Sequence, residues 1–403
     1  MRPTILRYLA ILWLLFPIGV NVGRPQSTSG TPQLGPVLPE NVKLPPNPVT
    51  RWTTDRNLRL FGWINGGYTG SSTGHGLLNI EPRANRFGDA WLLNQAALVL
   101  ERTASSGGSW WGFRTEFYMG ADAALLRPVD GFGPTTPRFG TDFRQAYFSF
   151  HAPLLSDRGV EVKLGRQYTP LGYETTMAAY RPMYSEAYSW MYSQNGATTG
   201  AIATIHVNPK LDVITGPTLG VNSLFNLRGR APCYIARGSY RPDTTNNTRL
   251  IGTVYTGPEP IAAAPGHLGK WQTEVEAQFV RHVNRRLGVV SETNFGWDTR
   301  DPANKNQTSK WVGTYLLAII HPNKLLDINT RAEWFNDIDG SRTGHRANYS
   351  EITGGINFMP RASINFRPEI RWDGADHPVF GPSGKPPYQN HQWTYAFETL
   401  LKF

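Results

Sequence analysis

Residues 362–374 read ASINFRPEIRWDG. Ile364, Phe366, Pro368, Ile370 and Trp372 alternate with Asn365, Arg367, Glu369, Arg371 and Asp373, so one set is apolar and the other polar or charged. On a helix, residues two apart fall on opposite sides and leave no continuous apolar stripe, whereas on a strand they share a face. The stretch therefore reads as a β-strand. Energy decides which face can meet hydrocarbon: each arginine would cost roughly 2–4 kcal/mol near a bilayer midplane, and the apolar set costs nothing of the kind. A register slip of one residue would exchange the two faces, so in a membrane Arg367 and Arg371 must line an interior.

The same period of two runs through the chain. In HQWTYAFETLLKF, Trp393, Tyr395, Phe397, Leu401 and Phe403 oppose Gln392, Thr394, Glu398 and Lys402; LLDINTRAEWF, WQTEVEAQF and WWGFRTEFYMG repeat the pattern. A soluble sandwich, or a secreted propeller, also alternates, with its apolar face turned inward. Strand length, aromatic ends and loop asymmetry separate the cases. Segments of about ten residues match a bilayer-crossing strand, and short connections near Ser106, Ser156, Asn208, Asp243, Asn284, Pro322 and Pro360 alternate with long ones around 70–90, 121–140, 168–195, 258–269, 299–309, 336–346 and 374–390, the link near Asn226 being the exception. Short periplasmic turns, long outer loops and an even strand number define a transmembrane β-barrel. About sixteen strands are expected, starting near Leu58, Trp91, Trp110, Thr141, Val160, Ala197, Leu211, Ala231, Thr248, Trp271, Leu287, Lys310, Leu325, Tyr349, Ala362 and Gln392. The fold class is thus all-β, an antiparallel transmembrane barrel. Parity slips near Arg144 and Arg166, as bulges or strand ends would make it do.

Upstream, Arg2 and Arg7 precede an apolar run from Tyr8 to Val20 that is short for a membrane helix and fits a secretory signal peptide. The expected domains are a signal over 1–23, a Pro/Gly/Ser-rich disordered linker over 24–51 and the barrel over 52–403, which places the protein in the outer membrane of a diderm bacterium. The single cysteine, Cys233, excludes an internal disulfide. A net charge of +10, pI ≈ 9.7 and mean hydropathy of -0.38 exclude a helical membrane bundle; export argues against nucleic acid as the basic chain's partner.

Between Gly165 and Asn222, the residues Gly165-Arg166, TPLGYE at Thr169–Glu174, Tyr184-Ser185 and TGAIATIHVNPKLDV resemble the OmpL-like outer-membrane β-barrel porins. The resemblance implies one large barrel and a transport role, with no established substrate. The chain departs from the family at Glu186, where an arginine is expected after Tyr184-Ser185.

Inward faces are expected to present Arg114, Glu116, Glu274, Glu276, Asp327, Arg331, Glu333, Glu351, Arg367, Glu369, Arg371, Asp373, Glu398 and Lys402 as pore lining, since charged rings set ion preference; the bland alternative is cross-strand pairing. Sixteen strands leave a lumen that wall side chains cannot fill, and the positive excess points to weak anion preference. The third long loop carries YETTMAAYRPMYSEAYSWMY, Tyr173 to Tyr192, with five tyrosines and one tryptophan. It is the candidate constriction, with Glu174, Tyr180, Arg181, Tyr184, Glu186 and Tyr188 as its site residues and a fold over the rim as the alternative.

No His/Ser pairing at one strand, H-E-x-x-H or Gly-rich phosphate loop occurs, so neither catalysis, cofactor nor metal is expected; NDIDGSRTG at Asn336–Gly344 and DTRDPANKN at Asp298–Asn306 lack a full Ca²⁺ ligand loop. Expected partners are outer-membrane lipid, small solutes or ions, the assembly machinery through the last strand ending at Phe403, and two further copies in a homotrimer. The rival function is a barrel-anchored adhesin or receptor acting through its outer loops.

Overall fold

The computed structural model describes residues 38–42, 48–77, 86–105, 108–128, 130–131, 133, 135–194, 196–227, 231–243, 247–259, 270–381 and 386–403; the expected signal peptide lies outside them. Sixteen long antiparallel strands close into one barrel. They are β1 Arg59–Ser71, β2 Ala90–Arg102, β3 Trp111–Gly120, β4 Phe139–Ala152, β5 Val160–Tyr168, β6 Ala197–Asn208, β7 Leu211–Thr218, β8 Cys233–Tyr240, β9 Thr248–Glu259, β10 Lys270–Asn284, β11 Leu287–Asp301, β12 Gln307–Asn323, β13 Leu326–Asp337, β14 Ala347–Arg361, β15 Ile364–Ala375 and β16 His391–Lys402. Neighbours in sequence pair throughout, and β1 closes on β16 from Trp63↔Lys402 to Ser71↔Thr394. Closure gives each strand two hydrogen-bonded neighbours, the condition for a sheet in hydrocarbon.

Burial alternates with the same period of two, with the polar set inside on β15 and, on β12, an inner set that is itself aromatic and aliphatic. On β15, Arg367, Arg371 and Asp373 are buried while Ile370 is 54% exposed; on β12, Tyr315 and Leu317 are buried beside an exposed Leu316. Trp91, Trp271 and Trp393 are exposed at the outer ends of their strands, and Trp110 stacks on Phe150 at the opposite rim, forming two aromatic girdles. Leu316 sits mid-strand on this outer face. Leu316→Arg is expected to destabilise the folded barrel by roughly 2–4 kcal/mol in bilayers, read as an earlier midpoint in urea unfolding from vesicles; an unmoved midpoint would place that face away from lipid.

The parity slip at Arg144 is a bulge: Glu116 pairs with Gln145 and Phe117 with Phe143, leaving Arg144 extra. A second bulge was not legible in sequence. Asn65 pairs with Gln95 and Gly66 with Leu93, so the extra residue is Asn94 and both Asn94 and Gln95 are buried on the inner side. At the carboxy-terminus, the Phe403 N–H donates to the Gly62 carbonyl at 3.0 Å and the Gly62 N–H to Phe403 O at 2.7 Å. Gly62 is needed there because a Cβ would collide with the backbone carbonyl of Ala97 on β2 and crowd the Phe403 ring. The reading of 24–51 as structureless gives way at two places, a turn at Pro39–Asn41 and a helix α1 at Pro48–Thr54, each started by proline, whose fixed φ suits a first helical turn. Pro39 is buried.

Candidate functional site

Residues 169–196 connect β5 to β6, and every residue from Arg181 to Trp190 is buried. A segment without regular ladders cannot be buried unless its backbone groups find other partners. Here the barrel wall supplies them. Carboxylates accept the loop's N–H groups: Glu276 of β10 from Gly172 at 2.6 Å, Glu292 of β11 from Tyr173 at 2.7 Å, Glu369 of β15 from Tyr184 and Ser185 at 2.8 and 3.1 Å, and Glu333 of β13 from Tyr188 and Ser189 at 2.6 and 2.7 Å. Guanidinium and amide groups donate to the loop's carbonyls: Arg367 to Arg181 and Ala178, Arg371 to Glu186, Arg331 to Ser185, and both Asn329 and Asn357 to Pro182, all at 2.8–3.0 Å. Gln95 of β2 donates to the Thr176 carbonyl and accepts from the Ala178 N–H. Since β2 and β10 stand on opposite sides of the ring, the loop crosses the full lumen.

The loop's own charges are spent on ion pairs. Glu174 lies 2.5 Å from Arg331, and Arg181 lies 2.8 Å from Glu186. Tyr184 donates to Asn94 at 2.9 Å and Tyr188 to Asp373 at 2.6 Å, with Tyr188 packed among Tyr192, Phe335 and Tyr349. Tyr180 stands edge-on to Trp63 and donates to Glu40, bringing the proline-rich segment into the same cluster. Gly313 of β12 makes room for the loop: a Cβ there would sit 2.3 Å from Ser189 Oγ.

The inward residues singled out in sequence divide into groups. Glu276, Arg331, Glu333, Arg367, Glu369, Arg371 and Asp373 touch the loop directly. Arg114 and Glu116 pair at 2.6 Å in a separate cluster with Glu101, Gln145 and Tyr168. Glu398 bonds Asn65 and Arg367, Asp327 pairs with His321 near the opposite rim, and Glu351 holds Arg331 across the β13–β14 pair. Glu274 is buried with neither oxygen hydrogen-bonded among the described residues. Sequence reasoning passed over Glu292, Asn329, Asn357, Asn94 and Gln95; the first three sit on inward positions of alternating strands, so their parity was available. The turn NDIDGSRTG is closed by its own aspartate, because Asp337 accepts the N–H groups of Ser341, Arg342 and Thr343. At the loop-bearing end, Asp130 accepts the N–H groups of Leu224, Phe225 and Asn226 and ties two outer loops together. Burial raises its carboxyl, but these donors outweigh it and hold it below its ordinary range; the tie therefore stabilises at neutral pH and is lost as acid protonates it.

Residues 57–403 match the family model described as putative beta-barrel porin-2, OmpL-like. No curated protein sequence matches the chain. Among solved structures, an anion-selective porin from Comamonas acidovorans is 12% identical, with a TM-score of 0.60 over 86% of this chain and 99% of that one. OprB of Pseudomonas putida is 12% identical with a TM-score of 0.57, covering 88% and 96%. OmpF of Salmonella typhi is 12% identical with a TM-score of 0.55, covering 86% and 97%. At these identities the likeness is one of fold.

Proposed function

The chain belongs to the putative beta-barrel porin-2, OmpL-like family and is a channel porin of the bacterial outer membrane; from this premise we propose that its third loop, 169–196, is the constriction through which small hydrophilic solutes and ions diffuse passively. The carrying observation is the loop's attachment to both sides of the lumen, at Gln95 on one wall and Glu276 on the other. Glu174, Tyr180, Arg181, Tyr184, Glu186 and Tyr188 set its shape in this reading. Arg114, Glu116, Glu274, Glu276, Asp327, Arg331, Glu333, Arg367, Glu369, Arg371, Asp373 and Glu398 form the inward wall in this reading; all but Arg114 are buried, seven of them against the loop. Transport of this kind needs no chemical step and no cofactor.

Two finer features belong to the same proposal. The positive excess of +10 supports weak anion preference, in keeping with the printed selectivity of the Comamonas porin. Assembly through the aromatic end of β16 and a homotrimeric state are the expected partners' side of the reading; a trimer form is recorded for OmpT of Vibrio cholerae, 7% identical. Reconstitution in planar bilayers tests the function. Small discrete conductance steps are expected, with a reversal potential under a salt gradient that favours anions. Cation preference would reject the selectivity, and no current from a heat-modifiable, folded barrel would favour a barrel that merely anchors its outer loops.

A further inference from the structure

An ionised carboxylate taken out of water needs a partner, because its lost hydration is otherwise uncompensated. Glu274 on β10 lacks one: it is fully buried, points inward, and neither Oε1 nor Oε2 is hydrogen-bonded among the described residues. It faces Gly296 on β11, with Asn294 and Asp298 at the diagonal positions either side, near enough for a long side chain to reach. Its electrostatic neighbours are Glu276, Glu292 and Asp298, together with the cation Arg342. That cation is shared. Arg342 lies 3.7 Å and Lys270 2.5 Å from Asp298 Oδ2, while Asp298 Oδ1 has no hydrogen-bond partner. Asn294 Oδ1 and Gln194 Oε1 are also buried acceptors without a hydrogen-bond donor.

We propose that this patch binds a hard divalent cation of the Ca²⁺ class, with Glu274 as its principal ligand and Asp298 and Asn294 as flanking ligands. The donors are all oxygen, carboxylate and amide, a set that suits Ca²⁺ or Mg²⁺ rather than a thiolate- or imidazole-seeking metal. Ca²⁺ fits better than Mg²⁺ because it accepts irregular geometry and a variable ligand number. Among the described residues no three acidic, histidine or cysteine side chains already converge on one point; the cation has to draw Glu274 towards its neighbours. Its consequence reaches the third loop, since Gln194 donates to Glu292, and Glu276 and Glu292 hold Gly172 and Tyr173. A cation here fixes the two ends of the loop to one wall.

The test uses the full barrel, refolded in detergent without lipopolysaccharide and stripped with chelator. Tb³⁺ is expected to bind one-to-one with luminescence sensitised by the aromatic side chains around the site, including Trp311, whose ring lies against Gly296, and Ca²⁺ is expected to displace it. Glu274→Gln should abolish the signal, and Asp376→Asn, at an exposed carboxylate, should leave it intact. A Tb³⁺ signal that Ca²⁺ does not displace, or that survives Glu274→Gln, overturns the proposal. Should Glu274→Gln fail to fold, the wild-type protein decides alone: Ca²⁺ must raise the temperature at which heat-modifiable mobility is lost, because a ligand of the native state stabilises it, and an unchanged temperature overturns the site. A barrel that conducts without binding Tb³⁺ keeps its channel function and loses this inference.

Discussion

Arg331→Met is expected to destabilise the barrel by roughly 3–5 kcal/mol, the usual cost of removing one partner from a buried ion pair. Arg331 is fully buried and joins three parts of the chain: its Nε lies 3.0 Å from Glu351 on the neighbouring strand, its Nη1 lies 2.5 Å from Glu174 of the loop, and the same nitrogen donates to the Ser185 carbonyl at 3.0 Å. Methionine fills similar space but takes from the buried carboxylates of Glu174 and Glu351 the ion-pair partner they share. The check is the urea midpoint of the refolded protein in detergent. Arg331→Lys should recover part of the loss and not all of it, since a single ammonium cannot reproduce the guanidinium fork that reaches two strands and the loop together. An Arg331→Met midpoint equal to wild type would show that the wall and loop are not held by this triad.

The barrel was legible in sequence because its code is local. Alternation at Ile364–Trp372 or Trp393–Phe403 needs no distant information, and the membrane adds an energetic reason for one register over the other. Strand starts at Val160, Ala197, Leu211, Thr248 and Leu287 were read to the residue. Local periodicity fails where a bulge intervenes. At Asn94-Gln95 one extra residue turns two successive polar side chains inward, so parity alone assigned neither a role.

The loop was found by counting strands, and its aromatic composition spoke for packing. Its wiring was another matter. Tyr184 and Glu369 are 185 residues apart, and Gly172 and Glu276 are 104 apart; no spacing in the chain announces that a wall carboxylate will accept a loop amide. Naming Glu174, Arg181 and Glu186 as site residues of the loop gave no sign of their partners, for the same reason. Buried charges seek partners, and these three found Arg331 and each other. Glu40 shows the limit most plainly, because a proline-rich stretch with no hydrophobic period gave no hint that Tyr180 would donate to it.

Removing Met177–Ser189 and bridging the gap with a short Gly/Ser linker is expected to raise single-channel conductance severalfold. The deletion takes away the segment that meets β2, β13 and β15 and leaves Glu333, Glu369, Arg367 and Arg371 facing solvent. Those side chains can then be hydrated, so the wall keeps its charge without the loop, and a sixteen-strand ring without an inward segment leaves an aqueous passage. Heat-modifiable mobility establishes that the shortened barrel is folded before any current is recorded. Side-by-side planar-bilayer recording of the two proteins is then the most direct measurement. Larger unitary steps in the deletion, with wild-type steps small, are the predicted result; a folded deletion whose unitary conductance equals that of wild type would contradict the claim that this loop is the constriction.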